Sequence, residues 1–238
     1  MKVLVASDWH LRPGSPEAHA RLARAFLALA RGEGARVVLN GDVFDDLFSG
    51  GGRAEAAHPL VARDIEALAR EGRLLRTRGN HDPAAGEDRA VLEVPGAGRV
   101  LVVHGHQVDP ISRSPAGRLG DALSRRFGRS LAVRGAARLA ERAARAAAGR
   151  PMVAAFRRRA LALVEREGFD LGVFGHVHVP HARAGDRYAN AGALLGEALT
   201  FLELGPAGPR LRALDVSCRE REIVTTLGVG PRREDRER

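Results

Sequence analysis

Five short apolar runs in this chain each end in a polar cluster of the same kind. VLVAS runs into Asp8-Trp9-His10, VVLN into Gly41-Asp42-Val43-Phe44-Asp45, and LLRTR into Gly79-Asn80-His81-Asp82. VLVV runs into His104-Gly105-His106 and LGVF into Gly175-His176-Val177-His178. Runs of this length bounded by Gly, Asp or Asn read as buried β-strands, here 2–6, 36–39, 74–77, 100–103 and 170–174. Helical patterns lie between the first three. One covers 15–31, with Ser15 as N-cap, Pro16 at N1 and Leu22, Phe26 and Leu29 as its apolar stripe; the other covers 53–71, after an SGGG loop and before Gly72. Strands alternating with helices predict an α/β layered fold, and in such folds sites form at the carboxyl ends of the strands, where every polar cluster falls.

After 110 the pattern changes to an Ala/Arg/Leu-rich helical region reaching about 167, read as two helical hairpins or three to four helices. Short strands are expected again at 187–189, 199–204 and 211–216. The domain reading is therefore a core of 1–110 and 168–216, a basic helical lid insertion at 111–167, and a tail at 217–238. The final GPRREDRER is charged and aperiodic, which predicts disorder there.

Charge separates the insertion from the rest. The chain carries a formal +9, and 111–167 holds fourteen arginines against Asp121, Glu141, Glu165 and Glu167. The remainder is close to neutral, so the basic character marks one segment as a contact surface for an anionic partner. Apolar stretches are too short to span a bilayer, Asp8 interrupts the N-terminal run before a signal-peptide core forms, and a cytoplasmic location is expected. The single Cys218 excludes an intrachain disulfide and a cysteine metal cluster.

The clusters supply carboxylates, imidazoles and one amide without a thiolate, a donor set that suits divalent Mn, Fe or Zn. If the extended chain persisted through Val179, His176 and His178, two residues apart, would face one point. The ordered blocks resemble the calcineurin-like metallophosphoesterases, whose pattern runs D-x-H, G-D-x-x-D, G-N-H-D, H, G-H-x-H. The match runs in order from Asp8 to His178. The resemblance implies a double β-sheet sandwich flanked by helices and two bound cations, Mn²⁺ foremost with Fe²⁺ or Zn²⁺ as alternatives. It implies that Asp8, His10, Asp42 and His178 hold one metal, and that Asp42, Asn80, His104 and His176 hold the second, with Asp42 bridging. Two such cations about 3.5–4 Å apart clamp phosphoryl oxygens during in-line attack. His81 would stand near the phosphate as a catalytic proton donor. Asp45 and Asp82 are expected to orient a ligand or touch substrate, and His106 and Asp109 to line the rim.

The insertion resembles the lid of the UDP-2,3-diacylglucosamine diphosphatases of the lipid A pathway, which act at the cytoplasmic membrane face. That likeness implies a UDP-linked acylated sugar as substrate, with the lid's arginines meeting diphosphate or anionic headgroups in peripheral contact with the inner membrane. The chain departs from this branch at His81 and His106, where the branch usually carries arginine and aspartate. Two alternatives stand beside it. One is a nucleotide or nucleic-acid phosphodiesterase, disfavoured because Phe127 and Phe156 are the insertion's only aromatic residues. The other is a non-catalytic scaffold, which should have lost ligands. No protein partner is inferred.

Overall fold

A computed structural model of the chain describes residues 2–49, 52–113 and 151–223. The first half builds β1 (Val3–Ala6), α1 (Glu17–Gly32), β2 (Arg36–Asn40), α2 (Asp46–Ser49), α3 (Arg53–Ala56), α4 (Pro59–Arg70) and β3 (Leu74–Thr77). There follow β4 (Ala90–Val94), β5 (Gly98–Val102), α5 (Pro110–Arg113), a helical stretch at 151–166 here called α6, and β6 (Leu171–Phe174). The chain closes with β7 (Tyr188–Asn190), β8 (Leu194–Leu195), β9 (Ala198–Gly205), β10 (Gly208–Asp215) and β11 (Glu220–Ile223).

Two sheets result. The first has the order β11-β10-β9-β1-β2-β3, with β8 on β9; the second is β4-β5-β6-β7. β1, β2 and β3 are mutually parallel, as are β5, β6 and β7. Alternation along each strand explains how they stack. Val3, Val5 and Val38 face Val100, Val102, Leu171 and Val173 between the sheets, while Leu4, Ala6, Val37 and Leu39 pack outward against Leu22 and Phe26 of α1 and Ile65 and Leu68 of α4. On the far side, Leu101 and Phe174 meet Phe156, Ala160 and Val164 of α6. The order is helix, sheet, sheet, helix: a double β-sheet sandwich flanked by helices.

Several elements differ from the sequence expectation. Pro16, not Ser15, is the N-cap of α1, and Ser15 Oγ instead accepts from the Arg12 N–H at 3.0 Å. The single helix expected over 53–71 is broken at His58, the residue before Pro59, because the proline ring disfavours helical torsions there. β4 went unread: Val91 and Glu93 point to solvent and only Leu92 and Val94 are buried, so its apolar signal is thin. The first sheet continues through β11 into the segment read as tail. Of the expected insertion, 114–150 lies outside the described residues, as does the end from 224, and 151–166 covers the second sheet. No helix among the described residues is long and apolar enough to cross a membrane.

Candidate metal centre

The loops leaving β1, β2, β3, β5 and β6 converge at one edge of the sandwich. Each must turn sharply to aim its polar side chain inward, and the backbone records that demand. Among the described residues, six non-glycine residues have positive φ, and five are Asp8 (56°), His10 (48°), Asp42 (54°), His176 (66°) and His178 (55°). The left-handed region is costly for residues with a Cβ and persists where surrounding structure enforces it. Here it overturns the extended reading of GHVH. β6 stops at Phe174, and the two left-handed histidines point to different halves of the centre.

In one half, His178 Nε2 lies 3.0 Å from Asp8 Oδ1 and 3.1 Å from His10 Nε2. In the other, His104 Nε2 lies 3.2 Å from Asp42 Oδ2. His104 Nδ1 donates to the Asn40 carbonyl at 2.9 Å, which fixes the tautomer and leaves Nε2 as the free donor atom. Asp42 sits between the halves: its Oδ2 is also 3.8 Å from His10 Nε2, while Oδ1 accepts from the His81 N–H at 2.8 Å. The His176 ring is 5.3 Å from that of His104, and its Nε2 meets Asp109 Oδ2 at 2.9 Å. Asp109 is thus buried and holds His176 instead of lining the rim.

Asp82 does not face substrate. Its carboxylate accepts from the backbone N–H groups of Asp42 (2.8 Å), Val43 (2.9 Å) and Gly79 (2.8 Å), clamping two loops together. Burial, then the charge of Asp42, pushes its carboxyl up to about 6. Asp45 receives His81 Nδ1 on Oδ1 at 2.9 Å and Arg12 Nη1 on Oδ2 at 3.2 Å. His106 packs its ring 5.6 Å from His104, and its buried Nδ1 has no hydrogen-bond partner among the described residues. Trp9 is core, edge-on to Phe26. Two glycines make the close approach feasible. A Cβ on Gly79 would lie 1.9 Å from Asp42 Oδ1, and one on Gly175 would lie 2.5 Å from Asp8 Oδ2.

Do these residues fit divalent cations? Asp8 Oδ1 faces His178 Nε2 at 3.0 Å and His104 Nε2 faces Asp42 Oδ2 at 3.2 Å without hydrogen-bond geometry, and Asn80 Oδ1 is buried with no hydrogen-bond partner among the described residues. Buried polar atoms left without hydrogen bonds are costly, and these three, on three loops of this edge, suit metal ligation. Asp8, His10 and His178 group their donor atoms tightly, as do Asp8, Asp42 and His104. Electrostatics agree. Burial pushes the carboxyls of Asp8 and Asp42 up, yet His178 and His104 for the first, and His104 and His81 for the second, hold both below the usual range. Burial opposes a charge on His104, but Asp42 and Asp8 raise it to about 10. The field that draws a proton to that imidazole also draws a metal cation, which binds it in neutral form. Partial desolvation, then the nearby His81, lowers His10 to about 4. The donors are oxygen and nitrogen throughout, and the grouping suits a dinuclear divalent site.

Sequence reasoning missed Asn40, which fixes His104, and Asn190, whose amide donates to the Gly175 carbonyl at 2.8 Å and so braces the GHVH turn. Both are the last residues of strands, and that position was the available signal.

The two-sheet sandwich thus carries, at its loop edge, a buried carboxylate and imidazole cluster suited to divalent cations. A sequence profile for calcineurin-like phosphoesterases matches residues 1–180, and the chain belongs to that family. Solved structures share the fold at low identity. A doubly substituted Vps29 from Entamoeba histolytica aligns with TM-score 0.51 and 17% identity over 94% of this chain and 98% of its own. A dimetal phosphatase from Danio rerio aligns at 0.50 and 14% over 95% and 99%. A search of curated proteins returned no match.

Proposed function

We propose that this enzyme hydrolyses the diphosphate of UDP-2,3-diacylglucosamine to UMP and 2,3-diacylglucosamine 1-phosphate, with two Mn²⁺ ions as cofactors. One observation supports the substrate class: a cleft of about 830 Å³ opens beside His178, between α6 and the loop after β6. Its walls include Met152, Val153, Leu161, Val177, Val179 and Leu195, with Arg157 and Arg158 among them. Apolar walls beside a metal centre shelter acyl chains, and Arg158 suits the diphosphate, while Arg157 pairs with Asp186 at 2.9 Å. The arginines of 111–167 would also meet anionic headgroups when the enzyme works at a membrane surface.

In this reading Asp8, His10, Asp42 and His178 hold one cation, and Asp42, Asn80, His104 and His176 hold the other. Bound there, the cations would supply Lewis acidity to the phosphoryl oxygens and would lower the pKa of water. The chain's own residues do the rest. Asp109 and the Asn40 carbonyl orient His176 and His104, and Asp82 keeps the Asp42 and Gly79 loops in register. Asp45 accepts from His81 Nδ1–H at 2.9 Å and favours the imidazolium, whose Nε2–H is the proton given to the leaving oxygen. A water oxygen joins the phosphorus that becomes UMP as the water gives up a proton to solvent, the bond to the bridging oxygen breaks, and that oxygen departs with the sugar phosphate and the proton from His81, which solvent then reprotonates.

The test is hydrolysis by the Mn²⁺-loaded enzyme of UDP-2,3-diacylglucosamine, UDP-N-acetylglucosamine, bis(p-nitrophenyl) phosphate and single-stranded DNA, with products identified by mass. The diacylated substrate is expected to lead in kcat/KM by on the order of a hundredfold, since each buried methylene adds about 0.8 kcal/mol. Preference for the small diester or for DNA would replace the lipid assignment.

A further inference from the structure

Arg12 has no place in the ligand set or in the proton transfer, yet it is one of the most firmly seated residues at the mouth of the centre. Leu11 pairs with Phe44 as a parallel bridge that carries the β1–β2 register past the strand ends. The Arg12 N–H donates to Ser15 Oγ at 3.0 Å, and its carbonyl accepts from His58 Nε2 at 2.9 Å. The guanidinium is aimed by Asp45 at 3.2 Å, and its side chain is 34% exposed. The same carboxylate holds His81 on its other oxygen. Of five N–H donors, only those on Nη1 have a partner among the described residues. An arginine pinned at its backbone, oriented by a buried carboxylate that also holds His81, and about one-third exposed is preorganised for a bidentate oxyanion.

We infer that Arg12 binds the phosphoryl group on the leaving side of a diphosphate substrate. The inference rests on the reading that a diphosphate is cleaved. His81 marks the leaving oxygen, and Arg12 is joined to His81 through Asp45, so it meets whatever that oxygen belongs to. In a simple diester this is an alcohol, which gives a guanidinium nothing to grip. In a diphosphate it is a second phosphoryl group with anionic oxygens. Arg12 thereby selects diphosphates over monophosphate esters. It also helps neutralise the charge that develops on the departing phosphate.

The test compares the dissociation constants of UMP and UDP by calorimetry on the full-length, Mn²⁺-loaded protein. The native enzyme is expected to bind UDP at least tenfold more tightly than UMP. In Arg12→Gln that ratio should fall below about threefold, chiefly through weaker UDP binding, and Arg12→Lys should restore part of it, since a point charge keeps attraction but loses the fork. Bound metal and circular dichroism confirm that each variant is intact, and Arg12→Lys carries the comparison where Arg12→Gln does not fold. No preference for UDP in the native protein, or an unchanged ratio in the variants, would overturn the inference and leave Arg12 as a structural partner of Asp45. Neither nucleotide carries an acyl chain, so a failed lipid assignment leaves this readout intact.

Discussion

Asp42 stands between the two halves of the centre, and each oxygen has a separate duty, one toward His104 and His10, the other toward the His81 backbone. Asp42→Ala is expected to lower kcat at least a thousandfold and bound metal below two per chain, with circular dichroism unchanged; full activity would remove the metal mechanism. Asp45→Asn should act through His81 and Arg12. It should lower kcat by about 10–100-fold, the size typical of groups that orient a catalytic residue, while bound metal stays at two. The residues proposed to bind and react were legible because their types recur at fixed spacing after apolar runs. Of their supports, Asp45, Asp82, His106 and Asp109 were legible as polar residues beside the motifs, but not the groups they hold: Asp109 serves His176 from 67 residues away and the Asn40 carbonyl serves His104 from 64, and such pairings are set by the fold.

At the scale of elements, strands buried on both faces were readable as apolar runs, and those exposed on one face were not. β4 and β11 escaped for that reason, since an alternating or charged segment reads as loop until a neighbouring strand is known. The first sheet also hides a charge network. Arg212 of β10 is 5% exposed and reaches Glu203 of β9 at 2.6 Å, Glu220 of β11 at 2.8 Å, and Glu33 at the C-terminus of α1 at 2.6 Å. Hydrogen bonding from Arg212 brings Glu33 down to about 2. A depressed carboxyl contributes stability that is fully present above its unfolded pKa, near 4.5, and is lost as pH falls through the folded value. Arg212→Leu removes the buried guanidinium that joins Glu33, Glu203 and Glu220, leaving Glu203 with Arg210 and Lys2, and should cost roughly 2 kcal/mol at pH 7. Urea titrations should show that gap narrowing between pH 4.5 and 2. A gap independent of pH would mean that packing, not charge, is what Arg212 supplies.

For the whole molecule, two sheets pack face to face and helices cover the outer faces, so the loops at one edge are where the polar clusters after the strands can gather. Phe156 of α6 touches both the second sheet, through Phe174, and the centre, through His176. Phe156→Ala is expected to cost about 3–5 kcal/mol and to be seen as a lower urea midpoint. Metal binding should stabilise the fold in turn, because the unfolded chain does not assemble these ligands. With Mn²⁺ at a hundred times its dissociation constant, linkage gives about 2.7 kcal/mol, and a chelator should reverse the resulting rise in Tm. An unchanged Tm would show that the cluster does not bind the ion in the folded state.

Asp8, His10, Asp42, His176 and His178 are five of the six non-glycine residues with positive φ among the described residues, and all five stand at one edge of the sandwich. Backbone torsions set beside the residue names therefore disclose where the chemistry is before any side-chain contact is measured, because the fold has written the site's address into its dihedral angles.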